Sequence, residues 1–156
     1  MKNTRTLNVV VVLLTIVCAT SAVAQDWQPE CKATSCTMSR ELTDEASGNR
    51  IATVSFAVDT ASPTVITSFA VPLGVALEPG IKLKWQDKST VVKFRTCYPD
   101  GCQAAAMLEH EQIEEMAEAK KISISFFPVN SDRPILAEVP LTGLDQAVDS
   151  ALKSLQ

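Results

Sequence analysis

Thr96-Cys97-Tyr98-Pro99-Asp100-Gly101-Cys102 is the stretch from which the fold can be read outward. Proline pre-sets φ and glycine accepts a positive φ, so Pro99-Asp100-Gly101 is a turn that lays its flanks side by side. Cys97 and Cys102 then face each other within bonding distance. Cys31 and Cys36 have the same four-residue spacing, around the polar loop Lys32-Ala33-Thr34-Ser35. The four are expected to form disulfides, and closing a loop this small stabilises by about 2 kcal/mol in the chain-entropy model. Four cysteines allow three connectivities, so pairing across the two sets stays open. A redox pair would use a C-x-x-C spacing at a helix start, and a zinc site would use other spacings.

Disulfides need an oxidising compartment, and the start of the chain supplies a route to one. Lys2 and Arg5 give a positive start, Leu7 to Ala19 is mostly apolar, and Ala22-Val23-Ala24 is a small-x-small cleavage pattern. Residues 1–24 therefore read as a signal peptide cut before Gln25, leaving 25–156 as one domain. The fifth cysteine, Cys18, falls in this leader. An uncleaved anchor would need a longer apolar run than Thr15, Thr20 and Ser21 permit. A lipoprotein signal would need a small residue before Cys18, where Val17 stands. Cleavage removes two of the 14 basic residues and none of the 18 acidic ones, leaving a formal charge of −6. That balance excludes nucleic acid as a partner, and no stable membrane span is left after cleavage.

The mature chain reads mainly as strands. Ala52, Val54, Phe56 and Val58 alternate with Thr53, Ser55 and Ala57, the period of a half-buried strand. Ile81-Leu83-Trp85, Ile122-Ile124-Phe126 and Val92-Phe94-Thr96 alternate with polar residues in the same way. Trp27–Lys32, Cys36–Leu42, Thr64–Val71 and Ile135–Leu141 are further candidates. Gly48-Asn49, Ser62-Pro63, Pro72, Gly74, Pro79-Gly80 and Asp87-Lys88-Ser89 punctuate them. Trp85 and Phe94 bracket the last of these and are expected to pair across strands. Two helices interrupt the pattern. Leu108–Lys121 is acid-first and base-last with a narrow stripe of Ile113, Met116 and Ala117, so it is expected on the surface. Leu144, Ala147, Val148, Ala151, Leu152 and Leu155 recur at helical spacing, with Thr142 and Asp145 as a capping box. The fold class is all-β: an immunoglobulin-like β-sandwich with one short surface helix and a C-terminal helix.

No catalytic constellation emerges, and no catalytic, cofactor or metal residue is assigned. His110 is the only histidine. His110-Glu111-Gln112-Ile113-Glu114 resembles part of an H-E-x-x-H metalloprotease helix, but Glu114 stands where the second ligand belongs. No serine sits in a G-x-S-x-G elbow, and Gly74 and Gly80 are too isolated for a phosphate loop. Trp27, Trp85, Phe94 and Phe126 read as core filling.

Val71-Pro72-Leu73-Gly74-Val75-Ala76-Leu77-Glu78-Pro79-Gly80-Ile81-Lys82-Leu83, the Thr96–Cys102 motif and Leu141-Thr142-Gly143-Leu144 with Ala147 resemble segments of the invasion-associated locus B family. Trp27 and Cys31 fit as well, and Leu144 departs from the family's usual phenylalanine. The resemblance implies an exported, immunoglobulin-like sandwich of a Gram-negative bacterium, with no known catalytic residues. The family takes its name from entry of a pathogen into host red cells. The function expected is a non-enzymatic binding module. It would sit in the periplasm, at the outer membrane or outside the cell, with a protein or envelope component as partner. Its rivals are an envelope-maintenance or chaperone-like factor and an enzyme using His110 with Glu111 or Glu114.

Overall fold

The computed structural model describes residues 27–155; the leader expected over 1–24, with Cys18, lies outside them. In chain order the strands are β1 (Pro29–Lys32), β2 (Ser35–Thr43), β3 (Arg50–Asp59), β4 (Ser62–Val71), β5 (Ile81–Trp85) and β6 (Lys88–Val92). Then come β7 (Phe94–Tyr98), β8 (Gly101–Leu108), α1 (His110–Glu118), β9 (Lys121–Phe126), β10 (Ile135–Pro140) and α2 (Leu144–Ser154). Two antiparallel sheets result. One has six strands in the order β1-β2-β3-β4-β8-β7, the other four in the order β10-β9-β5-β6.

Alternation places the core. Ala52, Val54, Phe56 and Val58 are buried on β3, with half-exposed Thr53, Ser55 and Ala57 between them. Met38 lies opposite Phe56, and Val54 opposite Phe69, so the rows of β2, β3 and β4 share one face. They join Ile81, Leu83, Ile122, Ile124 and Phe126 of the other sheet in a single buried cluster. Truncating Phe56 or Phe69, each fully buried, removes about 3–5 kcal/mol. At one end of this core α2 packs on β1, β2, β3 and α1, burying Leu144, Ala147, Val148 and Ala151. The all-β, two-sheet arrangement with two helices is the expected one.

Several local expectations are corrected. Val92, Phe94 and Thr96 are not one strand: β6 ends at Val92 in the four-stranded sheet, and β7 starts at Phe94 in the other. The chain changes sheets at Lys93 without losing its alternation. Trp85 consequently opposes Lys88, and Phe94 opposes Ala104, so the two rings do not pair. The turn between β5 and β6 is Gln86-Asp87, one residue earlier than expected. Leu108 ends β8, and α1 begins at His110. There the Glu109 N–H donates to Gln112 Oε1 at 3.0 Å, satisfying one donor at the helix start. α1 lies at the surface, with Ile113 and Met116 sunk into the core. Thr142 does not cap α2. Gly143 takes that place at φ +83, a left-handed conformation that glycine adopts freely, and its carbonyl accepts the Ala147 N–H at 3.0 Å.

Candidate functional site

The two cysteine hairpins are built alike. Two residues make each turn, Ala33-Thr34 and Pro99-Asp100. One pair closes it, Lys32 opposite Ser35 and Tyr98 opposite Gly101, and the next pair is cysteine opposite cysteine. A two-residue turn plus one closing pair therefore accounts for the four-residue spacing. Cys31 is bonded to Cys36 and Cys97 to Cys102, with Cα atoms 4.0 Å and 3.9 Å apart. The hairpins occupy opposite edges of the six-stranded sheet, so each edge strand is tied to its neighbour.

The β7–β8 hairpin leads to a cleft. A Cβ on Gly101 would stand 2.3 Å from the Val71 carbonyl oxygen, at a φ of +149. Only glycine lets this turn press against the end of β4. There Val71 hands over to Pro72-Leu73-Gly74-Val75, the segment that carried part of the family resemblance. From the same turn, the Asp100 carbonyl accepts a hydrogen bond from Arg50 Nη2 at 2.8 Å. The loop after β4 is clipped on its other side. The Val129 N–H donates to the Gly74 carbonyl at 2.7 Å, and the Ala76 N–H donates to the Phe127 carbonyl at 2.8 Å. Leu73 is thereby held out at 56 % exposure.

Between these supports lies a cleft of about 390 Å³. Ile51, Val75, Phe126 and Pro128 line it, and the exposed Leu73, Ile135 and Leu136 form an apolar rim. Leu136 is 69 % exposed. The polar side is Asp44, Asn49 and Arg50. The Asp44 carboxylate accepts the Ser47 hydroxyl at 2.7 Å and the Ser47 N–H at 2.8 Å. These bonds, the hydroxyl's first, hold its pKa below the usual carboxylate range. Arg50 has no carboxylate within ion-pair reach among the described residues. An apolar slot with one cation at its mouth suits binding.

His110 lies elsewhere, on a depression of about 350 Å³ between α1 and α2. Its Nε2 is 3.5 Å from Glu114 Oε1, and Glu118, Asp145 and Asp149 stand around it. Glu111 is exposed and outside this lining. Among the described residues no group of three or more metal-ligating side chains gathers. Of the aromatic set, Trp27, Trp85 and Phe126 are buried and Phe94 is partly buried against the core. No helix among the described residues is long and apolar enough to cross a membrane. Sequence reasoning had no signal for Arg50, Leu73 or Leu136 as one site, because only the fold brings them together.

Fold and cleft together define a two-sheet β protein with disulfide-bonded edge hairpins and an apolar recess at one end. The model of the invasion associated locus B (IalB) protein family matches residues 15–152, and the chain belongs to that family. It is similar to two invasion protein B homologues of Brucella abortus, from strain 2308 and from biovar 1 strain 9-941. Each is 26 % identical over 130 residues, covering 80 % of this chain and 75 % of the relative. The crystal structure of invasion associated protein b from Bartonella henselae superposes with a TM-score of 0.67 at 16 % identity. That likeness covers 81 % of this chain and 96 % of the other, and it bears on the fold alone.

Proposed function

We propose that this protein is an exported, non-enzymatic binding module that engages its partner through the cleft bounded by Leu73, Arg50 and Leu136. One observation carries the reading. Two of the segments that carry the family resemblance, Pro72–Val75 and Pro99–Gly101, meet at this cleft, one lining it and the other holding Arg50. The names of the Brucella relatives attach them to invasion, and contact with a host cell is the setting this suggests for the partner. The leader over 1–24 and the cysteine pairs support a location in the periplasm, at the outer membrane or outside the cell.

Site-specific photo-crosslinking in the native bacterium tests the site. A photoreactive residue at Leu73 is expected to yield a defined adduct, and the same probe at Lys82, exposed on the outer face of the four-stranded sheet, is expected to yield none. Identical adducts from both positions, or none from either, would sink the cleft reading. Mass spectrometry of the native protein tests export. An N-terminus at Gln25, with two mass units gained per disulfide on reduction, is expected.

A further inference from the structure

The cleft continues into a groove that runs along an open sheet edge. A second depression of about 320 Å³ follows the remainder of β10 past Ala137, Glu138 and Pro140, and Ile51 lines both recesses. Among the described residues β10 is an edge strand, paired on one side with β9 alone. The direction of its other side can be read from two bonds. The Pro140 carbonyl accepts the Trp27 indole N–H at 3.2 Å, and the next residue, Leu141, donates its N–H to the Lys120 carbonyl at 2.8 Å, at the β9 end. Backbone groups of successive residues point to opposite sides of a strand. Pro140, Glu138 and Leu136 therefore present their carbonyls to the groove, and Glu138 and Leu136 their N–H groups as well. No described residue hydrogen-bonds to the backbone of Glu138 or Leu136 on that side.

We infer that the groove takes an extended peptide by strand addition to β10, with an apolar last side chain in the cleft and the peptide's terminal carboxylate on Arg50. This rests on the cleft reading and names the class of partner. Three features select the occupant. The outward N–H and C=O groups of Leu136 and Glu138 match an added strand, which a fatty acid would leave unpaired. The recess between Leu73 and Leu136 matches an apolar side chain. The Arg50 guanidinium spends one N–H on the Asp100 carbonyl and has others for a carboxylate, and charge complementarity places the peptide's end there. Asp44 stands on the same rim, its carboxylate turned to Ser47, so the anion belongs on the Arg50 side. With its end near Ile135 and its body toward Pro140, the peptide runs antiparallel to β10.

The probe is a fluorescein-labelled peptide of alternating threonine and valine ending in phenylalanine with a free carboxylate, titrated into the purified protein. Saturable binding is expected, with slowed hydrogen exchange at the Leu136 and Glu138 amides. Amidating the peptide, or Arg50→Gln, is expected to weaken binding about fivefold. Leu136→Pro removes an outward N–H without touching the β9 ladder, and a loss of tenfold or more is expected. Unchanged affinity in a folded Leu136→Pro protein, or exchange slowed elsewhere but not at Leu136 and Glu138, would overturn strand addition. Dodecanoate filling the cleft while the peptide does not bind would also overturn it and would leave the cleft reading standing. Binding of neither probe would count against both.

Discussion

The two cysteine hairpins share a turn length, a spacing and a bond, yet they do different things. The β1–β2 hairpin backs onto α2, where Cys36 Sγ lies 3.6 Å from the Ala151 carbonyl. It closes one edge of the sheet over the end of the core. The β7–β8 hairpin closes the other edge, but its turn reaches β4 and Arg50 and so holds one wall of the cleft. The same covalent device thus backs a helix at one edge and supports a cleft wall at the other. What distinguishes them is the residue that closes each turn: Ser35 in the first and Gly101 in the second.

Substituting those two closing residues separates the hairpins most sharply. Gly101→Ala forces a side chain against the Val71 carbonyl at a disfavoured φ and is expected to cost about 3 kcal/mol in urea unfolding. Ser35→Ala, at the equivalent position, is expected to cost under about 0.5 kcal/mol. Equal costs would erase the distinction. Next come the paired replacements Cys31→Ala/Cys36→Ala and Cys97→Ala/Cys102→Ala. Each is expected to lose about 2 kcal/mol, so stability alone does not tell the edges apart. Arg50→Gln leaves both disulfides in place and removes the cleft's cation; a loss of about 1 kcal/mol or less is expected, and a larger one would give Arg50 a structural role beyond the Asp100 bond. The smallest effect concerns pH. The folded pKa of Asp44 is depressed, so its contribution is present above the ordinary carboxylate pKa and fades as pH falls through the folded value. Asp44→Asn should therefore shift stability slightly near neutral pH and not at strongly acidic pH, read by paired thermal melts.

Much of the fold was legible because alternation is a direct consequence of strand geometry. β3, β5 and β9 announce themselves through Val54-Phe56, Ile81-Leu83 and Ile122-Ile124. β8 is legible only from the Pro99-Asp100-Gly101 turn before it, since Ala104-Ala105-Ala106 has neither the β-branched residues nor the contrast that marks a strand. The switch of sheets at Lys93 was hidden for the opposite reason: a good alternation continued while its hydrogen-bonding partners changed. The α2 cap is not legible because the Thr142 hydroxyl is the familiar signal, whereas Gly143 works through its backbone alone. The hairpins were legible as local chemistry. The cleft was not, because Arg50, Leu73 and Leu136 come from three distant segments that meet only when both sheets close on one core.

Amide chemical shifts of the two paired-cysteine variants, measured against the unaltered protein, test the division between the hairpins most directly. Losing Cys97–Cys102 should move the resonances of Leu73, Gly74 and Leu136, while losing Cys31–Cys36 should leave them in place and move those of α2. Cleft resonances that move in both variants, or in neither, would contradict it.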